Sequence, residues 1–410
     1  MKRTALLTLL LAAFSGAIPA AASAQSSLSA QLSHELALAG PASGAYVYDL
    51  NTSTPLFAER STVARPPASV EKLYTATTAL ELMGPSATLS TTVLGTGQLG
   101  PNGRWEGNLY LRGGGDPTFG STIFDSLHYG GQGATVQSLA NQLAHTDGIR
   151  SVTGTVNGDE SFLDSRRGEP ASGYAFDPDL EGNLSGLAFN RGETGSQGEP
   201  HAPAAYAALQ LRGALRAHHV ALHSGGAATT PTSAKLLASA KSPNLTHLLG
   251  LTLPPSDNFF AETLVKDLGA LYGGAGTTSA GAAVVRRTIA RFHIHPHLLD
   301  GSGLSHSDHT TPFEVVSLLA QLSRSPLGTT LRKELAVAGH TGTLSERMRG
   351  TPASGRCQAK TGTLIGVSNL AGYCQSAGGD ILAFAFFNDG IETERAHTIQ
   401  DSMAISLARY

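Results

Sequence analysis

Apolar residues recur at helical spacing from Ser69 through Leu73, Ala76, Ala79, Leu80 and Leu82, just after Pro66-Pro67 has stopped the preceding segment. The spacing predicts a helix whose first turn carries Ser69 and Lys72. Upstream, residue 27 opens a helical stretch, followed by a strand over 44–50, a turn at Asn51-Thr52-Ser53-Thr54 and a second strand over 55–58. From 88 to about 220 the pattern changes to short β-prone pieces, 91–94, 104–111 and 151–157, between glycine-rich turns. Helical patterning returns over 244–253 and from 256 to about 271. A strand near Lys360, another over 381–388 and a closing helix over 392–410 follow. Stretches rich in Gly, Ala, Ser and Thr at 225–230 and 273–281 read as surface loops or linkers. No internal repeat is visible.

The amino terminus has a different pattern. Lys2 and Arg3 precede an apolar run from Ala5 to about Phe14, and small residues end at Ala22-Ser23-Ala24. This is the layout of a secretory signal peptide over residues 1–24, with cleavage expected after Ala24. An uncleaved anchor is disfavoured, because the run is well short of the ~20 apolar residues a bilayer span needs. The mature chain is therefore expected to be secreted or periplasmic, with no transmembrane segment.

Composition narrows the classes. The 410 residues carry 28 Lys and Arg against 31 Asp and Glu, for a net charge of −3. No basic tract offers itself to phosphates, so a nucleic-acid binder is excluded. Two cysteines in a chain this long exclude a disulfide-stapled miniprotein. Cys357 and Cys374 flank Ile365-Gly366 evenly. If 356–364 and 367–374 are the arms of a hairpin turning there, the thiols face each other. A cross-strand disulfide and two reduced cysteines both remain open, because directly opposed positions often miss good disulfide torsions.

After the leader, lysine occurs only at positions 72, 235, 241, 266, 333 and 360, and only Lys72 has a serine three residues before it. In a helix, residues i and i+3 share a face, so the Ser69 hydroxyl and the Lys72 amine can meet. A serine needs a neighbour to take its proton, and a lysine can do so if burial lowers its pKa. Taken alone, Ser69 also reads as a helix-capping serine beside a solvated lysine. Two further tripeptides change that weighing: Ser256-Asp257-Asn258 and Lys360-Thr361-Gly362. S-x-x-K, S-D-N and K-T-G, in this order, resemble the serine penicillin-recognising set. Ser256 would then pass a proton to the departing nitrogen. The Asn258 amide would hold a substrate carbonyl and orient Lys72, and Lys360 with Thr361 would bind a terminal carboxylate. Gly362 would let substrate lie against the strand edge. The N–H groups of Ser69 and Thr363 would form an oxyanion hole.

With these motifs stand Leu111-Arg112-Gly113-Gly114-Gly115-Asp116-Pro117-Thr118, Asp300-Gly301-Ser302-Gly303-Leu304-Ser305 and Gly342-Thr343-Leu344. On them the chain resembles the D-alanyl-D-alanine carboxypeptidase/endopeptidase family, class C of the low-molecular-mass penicillin-binding proteins, over nearly all of the mature sequence. The resemblance implies a penicillin-recognising α/β domain, formed by 25–87 and 241–410 and interrupted by a mostly β insertion over 88–240. It implies a serine peptidase that trims or cleaves peptidoglycan stem peptides through an acyl-serine, with β-lactams as covalent inhibitors and with neither cofactor nor metal. Ser305 and the residue after it would contact substrate. That residue is His306, where the family usually has an arginine, and His340-Thr341 stands where an aspartate usually precedes Gly-Thr-Leu.

Two other readings use the same motifs. A class A β-lactamase deacylates through a glutamate in an E-x-x-x-N loop. Glu262, Glu314, Glu334 and Glu346 are the glutamates between the second and third motifs, and none has an asparagine four residues on. A non-catalytic peptidoglycan-binding module is disfavoured by the intact Ser69, Lys72, Ser256, Asn258, Lys360 and Thr361.

Overall fold

The computed structural model describes residues 18–192 and 202–410. The basic start and apolar run of the expected leader lie outside the described residues. The strands are β1 (Gly44–Asp49), β2 (Thr54–Glu59), β3 (Ser90–Gly95), β4 (Gln98–Leu99), β5 (Arg104–Glu106), β6 (Leu109–Arg112), β7 (Ser151–Val152), β8 (Val156–Asp159), β9 (Lys235–Lys241), β10 (Ala336–Val337), β11 (Cys357–Leu364), β12 (Val367–Gln375) and β13 (Ile381–Asp389). The helices are α1 (Ile18–Leu38), α2 (Lys72–Met83), α3 (Thr122–His128), α4 (Val136–Asn141), α5 (Pro203–Ala217), α6 (Leu245–Thr252), α7 (Asn258–Tyr272), α8 (Thr278–Ile289), α9 (Pro312–Leu322), α10 (Pro326–Lys333) and α11 (Thr393–Arg409).

One antiparallel sheet, in the order β10-β11-β12-β13-β1-β2, joins the two ends of the chain. Its central strand β13 is apolar almost throughout because both of its faces are covered. The two-residue period of a strand sends Ala383, Ala385 and Phe387 into a core with Leu73, Val265, Leu268 and Leu319. Leu382, Phe384 and Phe386 enter a second core with Leu32, Leu36, Met403 and Leu407 of α1 and α11. Leu28, Leu32 and Leu36 recur every four residues, which puts them on one face of α1, and all three are buried. No helix among the described residues is long and apolar enough to cross a membrane.

Two smaller sheets, β8-β6-β3-β9 and β4-β5-β7, come from the segment between α2 and α6. Strands occur there at the expected places, but the segment also holds α3, α4 and the 15-residue α5. Helix α5 buries Ala204, Ala207, Ala208, Leu211 and Leu215, a helical stripe built largely from alanine, the best helix former. Small side chains give that stripe a weak hydrophobic signal between glycine-rich turns, so the segment reads as more β than it is. A further cluster, Leu89, Tyr129, Leu180, Leu184, Leu248, Phe259 and Phe260, packs this segment against the start of α7.

Cys357 lies directly opposite Cys374 across β11 and β12, and the two are joined as a buried disulfide. The bond ties the strand that carries Lys360 to its neighbour. With the cysteines 17 positions apart in the sequence, the chain-entropy contribution is about 3 kcal/mol or less. Alkylation without reductant, read by mass spectrometry, is expected to leave both cysteines unlabelled. Two labelled thiols on protein recovered from an oxidising compartment would contradict the bond.

Candidate active site

Ser69 sits in a 3₁₀ turn, Ala68–Glu71, that leads directly into α2. A 3₁₀ helix has three residues per turn, so i and i+3 eclipse more closely than in an α-helix. The turn is entered through Ala68 at φ 46, a left-handed conformation that costs an alanine energy and is fixed here by complete burial. Two glycines let other chain segments approach it. A Cβ on Gly303 would lie 2.0 Å from the Ala68 carbonyl oxygen, and one on Gly362 would lie 2.7 Å from that of Pro67 and 3.1 Å from Ser69 N. Besides leaving room for substrate, as the sequence suggests, Gly362 leaves room for the Ser69 turn against β11.

The Lys72 Nζ has three partners: Ser69 Oγ at 2.8 Å, Asn258 Oδ1 at 2.6 Å and the Ser302 carbonyl oxygen at 2.8 Å. A neutral amine has two hydrogens and one lone pair. With Asn258 Oδ1 and Ser302 O as obligate acceptors, the lone pair is left for the Ser69 hydroxyl proton. Burial lowers the Lys72 pKa to about 8, against the opposing pull of the Asp300 and Glu262 carboxylates. Asp300 accepts from the N–H groups of Ser302, Gly303 and Ser305, and Glu262 from those of Gly301 and Ser302. Thr75 of α2 donates to the Gly301 carbonyl at 2.8 Å. These bonds shape the turn that aims Ser302 O at Lys72.

Asn258 begins α7, whose N-terminus is capped by Asp257 accepting from Phe260 N. Ser256, half-buried, precedes them at φ 68. The Asn258 Nδ2 donates to the Asp179 carbonyl at 2.8 Å. Lys360 on β11 is fully buried and donates to the Thr361 carbonyl at 2.8 Å. Burial and the neighbouring Lys72 hold its pKa well below the usual lysine range; an arriving carboxylate would lift it back. The Thr361 hydroxyl is 2.8 Å from that of Thr343, and Thr343 N donates to the Pro254 carbonyl at 2.9 Å, so the three segments converge.

Outside this centre runs a cleft of about 620 Å³ lined by Asp177, Asp179, Glu181, Asn258, Leu304, His306, Thr363 and Ile365, among others. Thr363 and His306 are exposed, whereas Ser305 is buried behind them. His340 is outside that lining, its Nε2 3.3 Å from the Ser354 hydroxyl. Arg347 is committed to Asp401 at 2.7 Å and Arg349 to Glu346 at 2.6 Å.

Sequence reasoning missed the Ser302 carbonyl, a backbone atom with no side-chain signature. It also missed a group of buried carboxyls, Glu71, Asp300 and Asp308, whose oxygens lie within 4.8 Å of one another. Burial raises all three pKa values, and repulsion from neighbouring carboxylates adds to it at Glu71 and at Asp308, the latter reaching about 9. The available signals were an acidic residue immediately before Lys72 and the aspartate that opens Asp300-Gly301-Ser302-Gly303-Leu304-Ser305.

A helix-flanked sheet carrying a serine–lysine turn on its face and a Lys-Thr-Gly strand beside it, split by an insertion, is the penicillin-recognising α/β fold. The profile of the D-Ala-D-Ala carboxypeptidase 3 (S13) family matches residues 24–181 and 179–410, and the chain belongs to that family. It is 30% identical to a D-alanyl-D-alanine carboxypeptidase of Actinomadura sp. (strain R39) over 96% of this chain and 88% of that one. Among solved structures it is similar to penicillin binding protein 4 (dacB) of Haemophilus influenzae, with a TM-score of 0.76 and 21% identity over 94% of this chain and 99% of that one. The same Haemophilus protein complexed with a β-lactam matches with a TM-score of 0.71 and 20% identity, over 93% and 99%.

Proposed function

We propose that the carboxypeptidase and endopeptidase activity of this family runs in this chain through an acyl-enzyme on Ser69, formed on peptidoglycan stem peptides. The observation that carries the reading is the triple contact of Lys72 Nζ with Ser69, Asn258 and Ser302. Neutral Lys72 takes the Ser69 proton as Oγ attacks the carbonyl carbon of the scissile D-Ala-D-Ala bond. The developing oxyanion lies between the N–H groups of Ser69 and Thr363, each such donor being worth roughly 3 kcal/mol. The proton passes from Lys72 through the Ser256 hydroxyl to the departing nitrogen, and the C–N bond breaks. Water then attacks the ester with Lys72 as base again, freeing Ser69. Lys360 and Thr361 hold the terminal carboxylate of the leaving D-alanine, and Asn258 holds a backbone carbonyl on the acyl side. β-Lactams acylate the same serine, a reading supported by the β-lactam complex of the Haemophilus protein.

The reading extends to an exported mature chain starting at Gln25, with the insertion spanning 88–240. Release of D-alanine from a stem-pentapeptide mimic, with a fluorescent penicillin as a second probe, tests the activity. Turnover together with a persistent penicillin adduct is expected. A rapidly lost adduct would mark a lactamase, and no adduct a binding module.

His306 gives the site a specificity. An arginine would grip a side-chain carboxylate with two parallel hydrogen bonds, whereas an imidazole ring can offer a carboxylate only one at a time. Its surroundings are acidic, Asp177, Asp179 and Glu181 lining the same cleft, and Arg347 and Arg349 are engaged elsewhere. Stem peptides whose third residue ends in an amine alone, lysine or ornithine, are therefore expected to exceed the diaminopimelate peptide in kcat/KM by roughly 10-fold or more. A preference for the diaminopimelate peptide would refute this, and His306→Arg is expected to improve that peptide alone.

A further inference from the structure

The second motif does not stand by itself: residues far upstream in the chain hold it from one side. Arg191 meets the Asp257 carboxylate with both arms of its guanidinium, Nη1 to Oδ2 at 2.6 Å and Nη2 to Oδ1 at 3.2 Å. Its Nε donates to the Glu181 carbonyl at 2.7 Å. The guanidinium lies 4.9 Å from the centre of the Phe259 ring and 5.7 Å from that of Phe260. Only 8% of Arg191 is exposed. Its backbone is left-handed at φ 59, after Asn190 at φ 49. Two consecutive non-glycine residues in that region persist only where the surroundings hold them. Here Arg191 O accepts from Asn183 N at 2.9 Å, and the Asn190 side chain accepts from Ser121 N at 2.8 Å.

We propose that Arg191 is a positioning residue for the proposed reaction, acting through Asp257 to hold Ser256 and Asn258 in place and to offset the charge of Asp257 near Lys72. The proposal rests on the acyl-serine reading above. Asp257 lies between the two residues that reading uses, Ser256 in a left-handed conformation and Asn258 bonded to Lys72. Its Oδ1 caps α7 by accepting from Phe260 N at 2.9 Å. With the fork in place, both carboxylate oxygens have fixed donors, so the Ser256–Asn258 backbone has little freedom to turn. A second contact, Asn258 Nδ2 to the Asp179 carbonyl, ties the same motif to the same upstream loop.

Charge gives the proposal a separate consequence. Lys72 is surrounded by the carboxyls of Glu71, Asp257, Glu262 and Asp300, with the Lys360 amine as the nearby basic group. Around Arg191 the titratable groups are Asp257, Glu181 and Tyr129. Removing the guanidinium leaves the Asp257 charge uncompensated, which favours the ammonium form of Lys72. The rising limb of the acylation rate against pH then moves to higher pH.

The experiment measures the second-order rate of acylation by a fluorescent penicillin against pH, for wild type, Arg191→Gln, Arg191→Lys and Asp257→Asn, with thermal melts to confirm folding. Arg191→Gln is expected to acylate roughly 10- to 100-fold more slowly, with its midpoint shifted upward. Arg191→Lys, which keeps the charge but not the fork, is expected to recover the midpoint and part of the rate. Asp257→Asn keeps a cap acceptor and carries the test if Arg191→Gln does not fold. It is expected to slow acylation while moving the midpoint downward. A folded Arg191→Gln protein with a wild-type rate would overturn the proposal. So would a slower rate with an unmoved midpoint, or a folded Asp257→Asn protein with a wild-type profile. Failure of the wild type to acylate would instead contradict the acyl-serine reading.

Discussion

Exchanging Ser69 for alanine is expected to cut D-alanine release from a stem-peptide mimic by at least about 10⁴-fold, the scale of loss when a serine nucleophile is removed. Folding should be nearly untouched, because an alanine fits the turn and the hydroxyl's described partner is Lys72 alone. The change would leave substrate binding through Lys360, Thr361 and Asn258 in place, so KM should move far less than kcat. Turnover close to wild type in the folded variant would remove Ser69 from the mechanism.

Lys72 is expected to show a loss of similar size, but of a kind that separates it from the other lysine of the site. Lys72→Arg keeps a cation and removes the base, since a guanidinium does not deprotonate at any accessible pH. Acylation should therefore fall by at least about 10³-fold. Lys360→Arg is expected to retain measurable activity on substrates ending in a carboxylate, because a cation is what that position supplies. The wild-type pH profile follows from the same assignment. A base must be neutral to act, and burial lowers the Lys72 pKa to about 8. The kcat/KM of acylation should rise with pH through about 8, from near one-tenth of its plateau at pH 7. A profile already flat between pH 6 and 9, or a Lys72→Arg protein that acylates like wild type, would contradict Lys72 as the base.

Much of the site could be read in the chain because its chemistry needs particular residue types at short fixed spacings. Ser69 with Lys72, Ser256 with Asn258, and Lys360 with Thr361 each lie within one turn or one strand step. Their order then carried the family resemblance, and with it the fold. The strand around Lys360, the turn at Ile365-Gly366 and the strand over 381–388 were visible for a related reason, since a short apolar run such as Leu382–Phe387, rich in aromatic residues and ending before Asn388-Asp389-Gly390, fits a strand covered on both faces. Other features had no local signature. The 3₁₀ form of the Ser69 turn differs from an α-helix in hydrogen bonding, not in side-chain pattern. Helix α5 is built on alanines. The Ser302 carbonyl is set by the fold of a turn, and Arg191 reaches Asp257 across 66 positions of sequence. Such contacts are consequences of tertiary packing and become legible only once the segments have been brought together.

The central claim is that one serine, Ser69, becomes covalently acylated. Incubating the purified mature protein with benzylpenicillin, then measuring the intact mass and mapping the modified peptide by tandem mass spectrometry, tests it directly. The expected result is a single adduct with the full mass of the penicillin, located on Ser69 and absent from the Ser69→Ala protein. An adduct on any other residue, or an unmodified wild-type protein after prolonged incubation, would contradict the account.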